Sequence, residues 1–198
     1  YSPTSRLGTR SPSTPFGSVD RPASPCSFAL GSGARFIARG IDTHKKLPDV
    51  LKAAYAHKGA SFVEIFQNCI VYNDEVFAGF TEKKTAADTQ IWLEHGEPLL
   101  FAGGAKGLAM DKQELRLRVV DVVDGDWQAA GVGRHDQTNH GLAQMLIDLS
   151  PQHGMPVALG VIYDHPRPTY DRAVVEQNEA ASKGKKPDLQ ALVSQGQT

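Results

Sequence analysis

The chain has 198 residues, 40% of them apolar and 22% charged, with a formal charge of −1. This is enough for one globular domain with a smaller appendage, and a near-neutral chain exerts no long-range pull on nucleic acid or anionic lipid. No apolar run approaches the ~18 residues of a membrane span, and no basic segment leads into an apolar stretch as in a secretory leader, so a cytoplasmic location is expected.

Residues 1 to 25 read as a punctuated loop, with Pro3, Pro12, Pro15, Pro22 and Pro25 set among serines and threonines. So long a coil is unusual inside a compact domain unless it lines a site or an interface. Arg6, Arg10 and Arg21 give it anion-binding capacity; the alternative is a mobile connector. Tyr1-Ser2-Pro3-Thr4-Ser5 reads as the middle of a loop, and the chain is expected to be the rear part of a larger α/β subunit.

From Ser24 the pattern changes. Ser24 can cap a short helix carrying Phe28, Ala29 and Leu30, ended by Gly31 or Gly33. Phe36-Ile37-Ala38-Arg39 reads as a buried strand. Asp42 or Thr43 is placed to cap a helix in which Pro48 falls within the first turn. Leu47, Val50, Leu51 and Ala54 form its apolar face and Gly59 its stop. Ser61 to Phe66 is a second apolar strand. Strand, helix and strand within about thirty residues make a parallel crossover, which predicts a three-layer α/β sheet with an open edge to be covered. Gln67, Asn68 and Cys69 stand at the carboxyl end of that second strand, where ligands of open α/β sheets gather.

Residues 70 to 98 are less regular. Val76, Phe77 and Phe80 can anchor an excursion onto the body, while Lys83, Lys84, Asp88 and Glu94 form a solvated face. Pro98 to Phe101 and Gly107 to Met110, divided by Gly103 and Gly104, predict a small hairpin. Leu115, Leu117 and Val119 alternate with Arg116 and Arg118 as in a half-buried strand that leads into Val120 to Val123. Asp136, Thr138 or Asn139 can cap a helix using Leu142, Met145, Leu146 and Leu149, ended by Pro151 and Gly154. Val157 to Ile162 is a last strand. Tyr170 to Ser182 is a helix, followed by a turn at Lys183-Gly184-Lys185-Lys186 and a short tail helix of the kind that docks on a neighbouring subunit.

Two cysteines, Cys26 and Cys69, do not make a disulfide scaffold. Cys26 follows Pro25 into an apolar helix and reads as a core residue. Cys69 is open to three readings: an inert thiol, a nucleophile served by one of His57, His95, His135, His140, His153 or His165, and a metal or iron–sulfur ligand. A cluster needs four thiolates, so as a cluster ligand Cys69 needs partners from outside this sequence. His135-Asp136 and Tyr163-Asp164-His165 have only weak cation-binding spacing, polar loop contacts being the plainer reading. Asp121, Asp124 and Asp126 lack the Gly and terminal Glu of a calcium loop. No phosphate loop, dinucleotide fingerprint or serine elbow occurs.

Tyr1-Ser2-Pro3-Thr4-Ser5, Ser13-Thr14-Pro15-Phe16-Gly17, Phe36-Ile37-Ala38-Arg39 and, above all, Ser61-Phe62-Val63-Glu64-Ile65-Phe66-Gln67-Asn68-Cys69 together resemble the β subunit of the 2-oxoacid:ferredoxin oxidoreductases. Ile162-Tyr163-Asp164 and Arg167-Pro168-Thr169-Tyr170-Asp171 resemble its bacterial 2-oxoglutarate branch. The resemblance implies a thiamine-diphosphate-binding α/β fold, with residues 1–70 as the C-terminal part of that domain and 71–198 as an extension of hairpins and helices making subunit contacts. It implies oxidative decarboxylation of a 2-oxoacid with coenzyme A, ferredoxin being reduced. Thiamine diphosphate, Mg2+ and a [4Fe–4S] cluster would be the cofactors, and an α or fused α/γ subunit the partner in a dimer of heterodimers.

On the same resemblance Cys69 matches the fourth cluster ligand, with Gln67 and Asn68 lying around the site. Ser2, Thr4, Ser5 and Arg6 match a loop that approaches substrate, and Arg6, Arg10 or Arg21 would meet the distal carboxylate of a dicarboxylate. The other three cluster cysteines and the Gly-Asp-Gly…Asn thiamine–magnesium motif are absent from the sequence and are expected before Tyr1. The competing expectations are the same chemistry on pyruvate, a non-catalytic α/β interaction module, and an unrelated enzyme with Cys69 as nucleophile.

Overall fold

The computed structural model describes residues 4–71, 73–184 and 188–195, the Gln152 side chain excepted. Ser2, Lys185 and Lys186 therefore lie outside the described residues. The chain forms two compact units, residues 1–166 and 167–198.

The first unit is built on a strand that has no exposed residue. β1 (Phe36–Ile41) lies between two neighbours and is covered on both faces, so all six of its residues are buried. Alternation divides its side chains. Phe36 and Ala38 pack with Val50 of α2 (Leu47–Ala56), and Ile37 points to the opposite face, into a core shared with Leu30, Leu146 and Ile162. Burying each large apolar side chain of this kind contributes about 1.5–3 kcal/mol. The helices of the opposite face are α1 (Pro25–Gly31) and α5 (His140–Ile147). α2, the sheet and the α1/α5 pair are thus three layers, the expected architecture.

Caps set the helix starts. Ser24 accepts a hydrogen bond from Ser27 N–H at the head of α1, and Asn139 accepts from Leu142 N–H at the head of α5, both as expected. α2 differs. Its N-cap is Lys46 with no side-chain cap, Pro48 occupies the first turn, and the Asp42 carboxylate instead accepts from Thr43 N–H. Leu51 is exposed rather than on the packed face, because only the Val50 side of so short a helix meets the sheet. Gly40 lets that helix approach: a Cβ there would stand 2.7 Å from Leu47 Cδ1.

β2 (Ser61–Phe66) pairs parallel to β1 in register, Phe36 opposite Ser61 through Ile41 opposite Phe66. β7 (Val157–Asp164) pairs antiparallel to β1, and β3 (Gln90–Leu93) pairs parallel to β7. The sheet order is β2-β1-β7-β3, a mixed sheet whose strands come from both sides of residue 70. The boundary between compact units falls at Pro166. Gly160 of β7 has φ 94°, and a Cβ on it would stand 2.9 Å from Leu93 O, so only glycine fits between the two neighbouring strands. β2 forms one edge of the sheet, as the strand pattern required.

β3 is the element that the residue pattern did not disclose. It follows α3 (Ala78–Thr81) and α4 (Lys83–Thr89) without a loop, and four residues are too few to show a period. The expected hairpin is present: β4 (Leu100–Phe101) and β6 (Arg116–Asp121) flank β5 (Lys106–Asp111), all antiparallel. Leu117 is buried as its alternation predicts. Leu115, by contrast, lies in the preceding turn with φ 52° and is exposed. Leu99, Phe101, Leu108 and Leu117 join the core of α1 and α5, which ties this second sheet to the main one.

The second unit consists of α6 (Tyr170–Ser182) and α7 (Leu189–Ser194), with no buried residue in either helix. An Arg172–Glu176 pair at 2.8 Å spans one turn of α6, and Asp188 caps α7 by accepting from Ala191 N–H. Lys183 and Gly184 of the expected turn are exposed. Among the described residues no helix is long and apolar enough to cross a membrane.

Candidate functional site

β2 ends at Phe66, whose ring is held by Phe77 and Phe80 at centroid distances of 5.0 and 5.1 Å. The excursion anchored by Phe77 and Phe80 thus returns over the carboxyl end of β2, and Gln67, Asn68 and Cys69 emerge beside it. Cys69 is free and exposed. Asn73 N–H donates to Cys69 O at 3.0 Å, turning the chain back on itself. The Asn68 amide donates to Asp74 Oδ1 at 2.8 Å, while its carbonyl oxygen accepts from Glu75 N–H at 2.9 Å.

The N-terminal loop is ordered without being helical or extended. Gly8 N–H donates to Ser18 O and Ser18 N–H to Thr9 O, while buried Ser18 donates its hydroxyl to Arg6 O at 2.8 Å. Two bonds tie this loop to the turn after Cys69. Asn73 Nδ2 donates to Thr4 O at 3.2 Å, and Arg6 Nη2 donates to Val76 O at 2.9 Å. Thr4 and Arg6 line a groove of about 840 Å³ that also takes in Arg21, Phe62, Gln67 and Phe77. Ser5 is half-buried beside Thr4 and, like exposed Arg10, is not among the groove-lining residues. Arg6 and Arg21 are accordingly the arginines of this loop that face the groove.

The groove floor holds a charged group that the strand pattern did not single out. Arg39 and Glu64 are register partners on β1 and β2, with side chains only 9% and 14% exposed. Arg39 donates Nε to Glu64 Oε2 at 2.6 Å and Nη1 to Ile147 O at 3.0 Å, at the end of α5. Cys26 donates its thiol to the same Glu64 oxygen at 3.3 Å. Burial pushes the Cys26 thiol up to about 12, with Glu64 reinforcing and Arg39 opposing the shift. Cys26 is therefore a protonated core residue at neutral pH, as expected. The available signal for the pair was one charge at the same place in each of two otherwise apolar strands.

Of the six histidines weighed as partners for Cys69, five make contacts of their own and His153 lines the groove. His57 Nδ1 pairs with Asp164 Oδ1 at 2.8 Å, beside the Phe36–Asp164 register pair at the start of β1. Cys69 follows the opposite end of the sheet. His95 Nδ1 accepts from Gln137 N–H, and the His165 ring meets the Tyr163 hydroxyl at 3.3 Å. His140 packs edge-on against Tyr163. His135-Asp136 and Tyr163-Asp164-His165 make loop and core contacts. Among the described residues no group of three or more His, Cys, Asp or Glu side chains is arranged to hold a metal ion. Of the calcium-like aspartates, Asp126 accepts from Ala129 N–H.

His135 makes a pH-dependent contribution to stability. It is buried, its Nε2–H donates to Val161 O at 2.9 Å, and burial lowers its pKa from 6.5, the Val161 bond and Asp136 opposing. A histidine depressed in the folded state binds its proton more readily when unfolded. Its contribution is therefore complete above about 6.5 and is lost as the pH falls below that value. Urea midpoints of the wild type should drop between pH 7.5 and 5.5. The His135→Asn variant should show a smaller drop between the same two pH values, although His44, also depressed by burial, leaves a residual slope. An equal drop in both proteins would remove His135 from the account.

An iron–sulfur cluster is held by cysteine thiolates, four to a cluster. Cys69 fits one such position, and Cys26, buried and held protonated, fits none. The chain's own donors therefore match one ligand of a cluster and do not form the whole site.

No protein-family model matches the chain. It is 37% identical over 196 residues to the 2-oxoglutarate oxidoreductase subunit KorB of Mycobacterium tuberculosis, covering 98% of this chain and 52% of that protein. It is 27% identical over 172 residues to the 2-oxoacid:ferredoxin oxidoreductase subunit beta of Saccharolobus solfataricus, covering 86% of this chain and 54% of that one. To the 2-oxoglutarate synthase subunit KorB of Methanocaldococcus jannaschii it is 28% identical over 120 residues, covering 60% and 42%. The chain spans about half the length of the relatives it matches most extensively. In structure it resembles the 2-oxoglutarate:ferredoxin oxidoreductase of Magnetococcus marinus, solved with 2-oxoglutarate, coenzyme A and succinyl-CoA bound. The TM-score is 0.63 at 20% identity, covering 100% of this chain and 53% of that one. This likeness establishes the fold. The resemblance read from the residues is borne out: over nearly its whole length this chain is similar to β subunits of 2-oxoacid:ferredoxin oxidoreductases, the 2-oxoglutarate branch among them.

Proposed function

We propose that this chain is part of the β subunit of an enzyme that oxidatively decarboxylates 2-oxoglutarate with coenzyme A to succinyl-CoA and CO2, reducing ferredoxin. The observation that carries the proposal is the 37% identity to a 2-oxoglutarate oxidoreductase subunit across 98% of the chain. The exposed Cys69 at the carboxyl end of a sheet strand supports it from chemistry. In this reading Cys69 supplies one thiolate to a [4Fe–4S] cluster, the other ligands coming from polypeptide outside these residues. Held in part by Cys69, such a cluster would supply one-electron transfer towards ferredoxin.

Thr4 and Arg6 form the substrate side of the site, with Ser5 between them in the loop and Ser2 beyond the described residues. Arg6 and Arg21 present cations to the groove where a distal carboxylate needs one. Gln67 lines the same groove next to the thiol loop. Thiamine diphosphate and Mg2+ are assigned to the remainder of the subunit. An α or fused α/γ subunit completes a dimer of heterodimers in the cytoplasm.

The test is turnover by the complete enzyme. Coenzyme-A-dependent ferredoxin reduction should be faster with 2-oxoglutarate than with pyruvate at equal concentration. The Arg6→Met and Arg21→Met variants should raise KM for 2-oxoglutarate more than for pyruvate, by about tenfold for the loss of one charge-assisted contact of about 1.5 kcal/mol. Equal losses on both substrates would argue against distal-carboxylate recognition by this loop, and pyruvate preference would move the enzyme to the pyruvate branch.

A further inference from the structure

A thiol three residues beyond the end of a strand has no fixed direction unless its loop is held. Here the loop is held by a small set of bonds centred on Asn68. The Asn68 carbonyl oxygen accepts from Glu75 N–H at 2.9 Å and its amide donates to Asp74 Oδ1 at 2.8 Å. Asp74 Oδ1 accepts from the same Glu75 N–H at 2.9 Å. Glu75 has φ 56°, a conformation a non-glycine residue holds only when its surroundings enforce it. Asn73 N–H to Cys69 O at 3.0 Å closes the inner turn. The outer side of the loop is fastened to the N-terminal segment by Asn73 to Thr4 O and Arg6 to Val76 O.

We infer that Asn68 is a positioning residue: it clamps the Cys69 loop in one conformation against the Thr4–Arg6 segment and so fixes where the Cys69 sulfur points. The inference rests on the cluster reading proposed above and adds to it the residue that sets the ligand's geometry. The position needs an acceptor and a donor on one short planar group. Alanine has neither. Aspartate keeps the acceptor for Glu75 but turns a second carboxylate toward Asp74. Exchanging the two groups, one amide and one carboxylate in reversed order, keeps a bond between positions 68 and 74 and the Glu75 N–H bond to position 68, but gives up the Glu75 N–H bond to position 74, so the recovery should be partial.

The experiment uses the complete enzyme and reads the cluster rather than turnover alone. Compared with wild type, Asn68→Ala should show an altered EPR line shape of the reduced cluster. It should also lose iron to EDTA about tenfold faster, the usual scale for losing a partner that orients a ligand. Asn68→Asp should lie between the two. The N68D/D74N exchange should return the line shape and the iron-loss rate towards wild type. Unchanged EPR and iron loss in Asn68→Ala would overturn the clamp. Where Asn68→Ala does not assemble, an exchange variant no better than Asn68→Asp would overturn it equally. Cys69→Ala separates the two levels: a cluster retained there removes the cluster reading itself, whereas a cluster lost there beside an unaffected Asn68→Ala removes only the clamp.

Discussion

Replacing Cys69 by Ala in the complete enzyme should abolish the brown charge-transfer absorbance, or leave it decaying on handling, and should cut ferredoxin reduction by more than about a hundredfold. Removal of a partner that merely orients a ligand already costs about 10–100-fold in affinity or activity, and removal of the ligand itself should cost more. The control is built into the chain. Cys26 is buried, hydrogen-bonded to Glu64 and held protonated with its pKa pushed up to about 12, so Cys26→Ala should leave iron content unchanged. Its expected effect is on stability, about 1–2 kcal/mol from a small cavity and a lost weak donor. Alkylation of the chain before cluster assembly should follow the same division, labelling exposed Cys69 and sparing Cys26. Iron content and absorbance unchanged in Cys69→Ala would sink the assignment. A thiol enzyme, by contrast, would lose activity on Cys69 alkylation while its iron content stayed as it was.

The prominence of Cys69 in the sequence and the concealment of its surroundings have one physical origin. A cysteine three residues beyond a strand is visible because β2 has a simple apolar pattern and a defined stop. α1, β1, β2 and α5 were legible for similar reasons: Ser24 and Asn139 cap locally, and β1 and β2 read as short apolar runs each interrupted by one charge. What lies around the thiol depends on contacts distant in sequence. The Arg6–Val76 bond joins positions 70 residues apart, and the Asn73–Thr4 bond positions 69 apart. No local period encodes either. β3 was hidden for another reason, since its four residues follow a helix directly and its place beside β7 is set by the sheet. The capping of α2 failed at Asp42 because that carboxylate is spent on its neighbour Thr43, leaving Pro48 to start the helix. Local chemistry thus predicted elements, and pairing across the fold determined the site.

The largest stability effect should come from the pair beneath the groove. Arg39→Ala should destabilise the protein by about 3–5 kcal/mol, the cost of leaving one member of a buried ion pair without the other. Two groups lose a partner at once: Glu64 keeps the weak Cys26 donor, and the Ile147 carbonyl at the end of α5 loses its cation. The first loss is also that of the charged cross-strand contact between β1 and β2. Arg39→Met/Glu64→Leu removes both charges and should recover most of the loss, because no uncompensated charge remains in the core. The exposed Lys52–Asp49 pair, 78% and 75% accessible, provides the comparison, and its removal should change stability by less than about 1 kcal/mol. Urea midpoints at constant slope would measure all three. If Arg39→Ala shifted the midpoint no more than Lys52→Ala, the pair would not hold the groove floor together. If it shifted by the expected amount and the double replacement recovered it, the pair's net stability would be small. Its role would then be to hold Glu64, the end of α5 and strand β2 in a single arrangement below Thr4, Arg6 and Gln67, so the double variant should fold well and still raise KM for the 2-oxoacid.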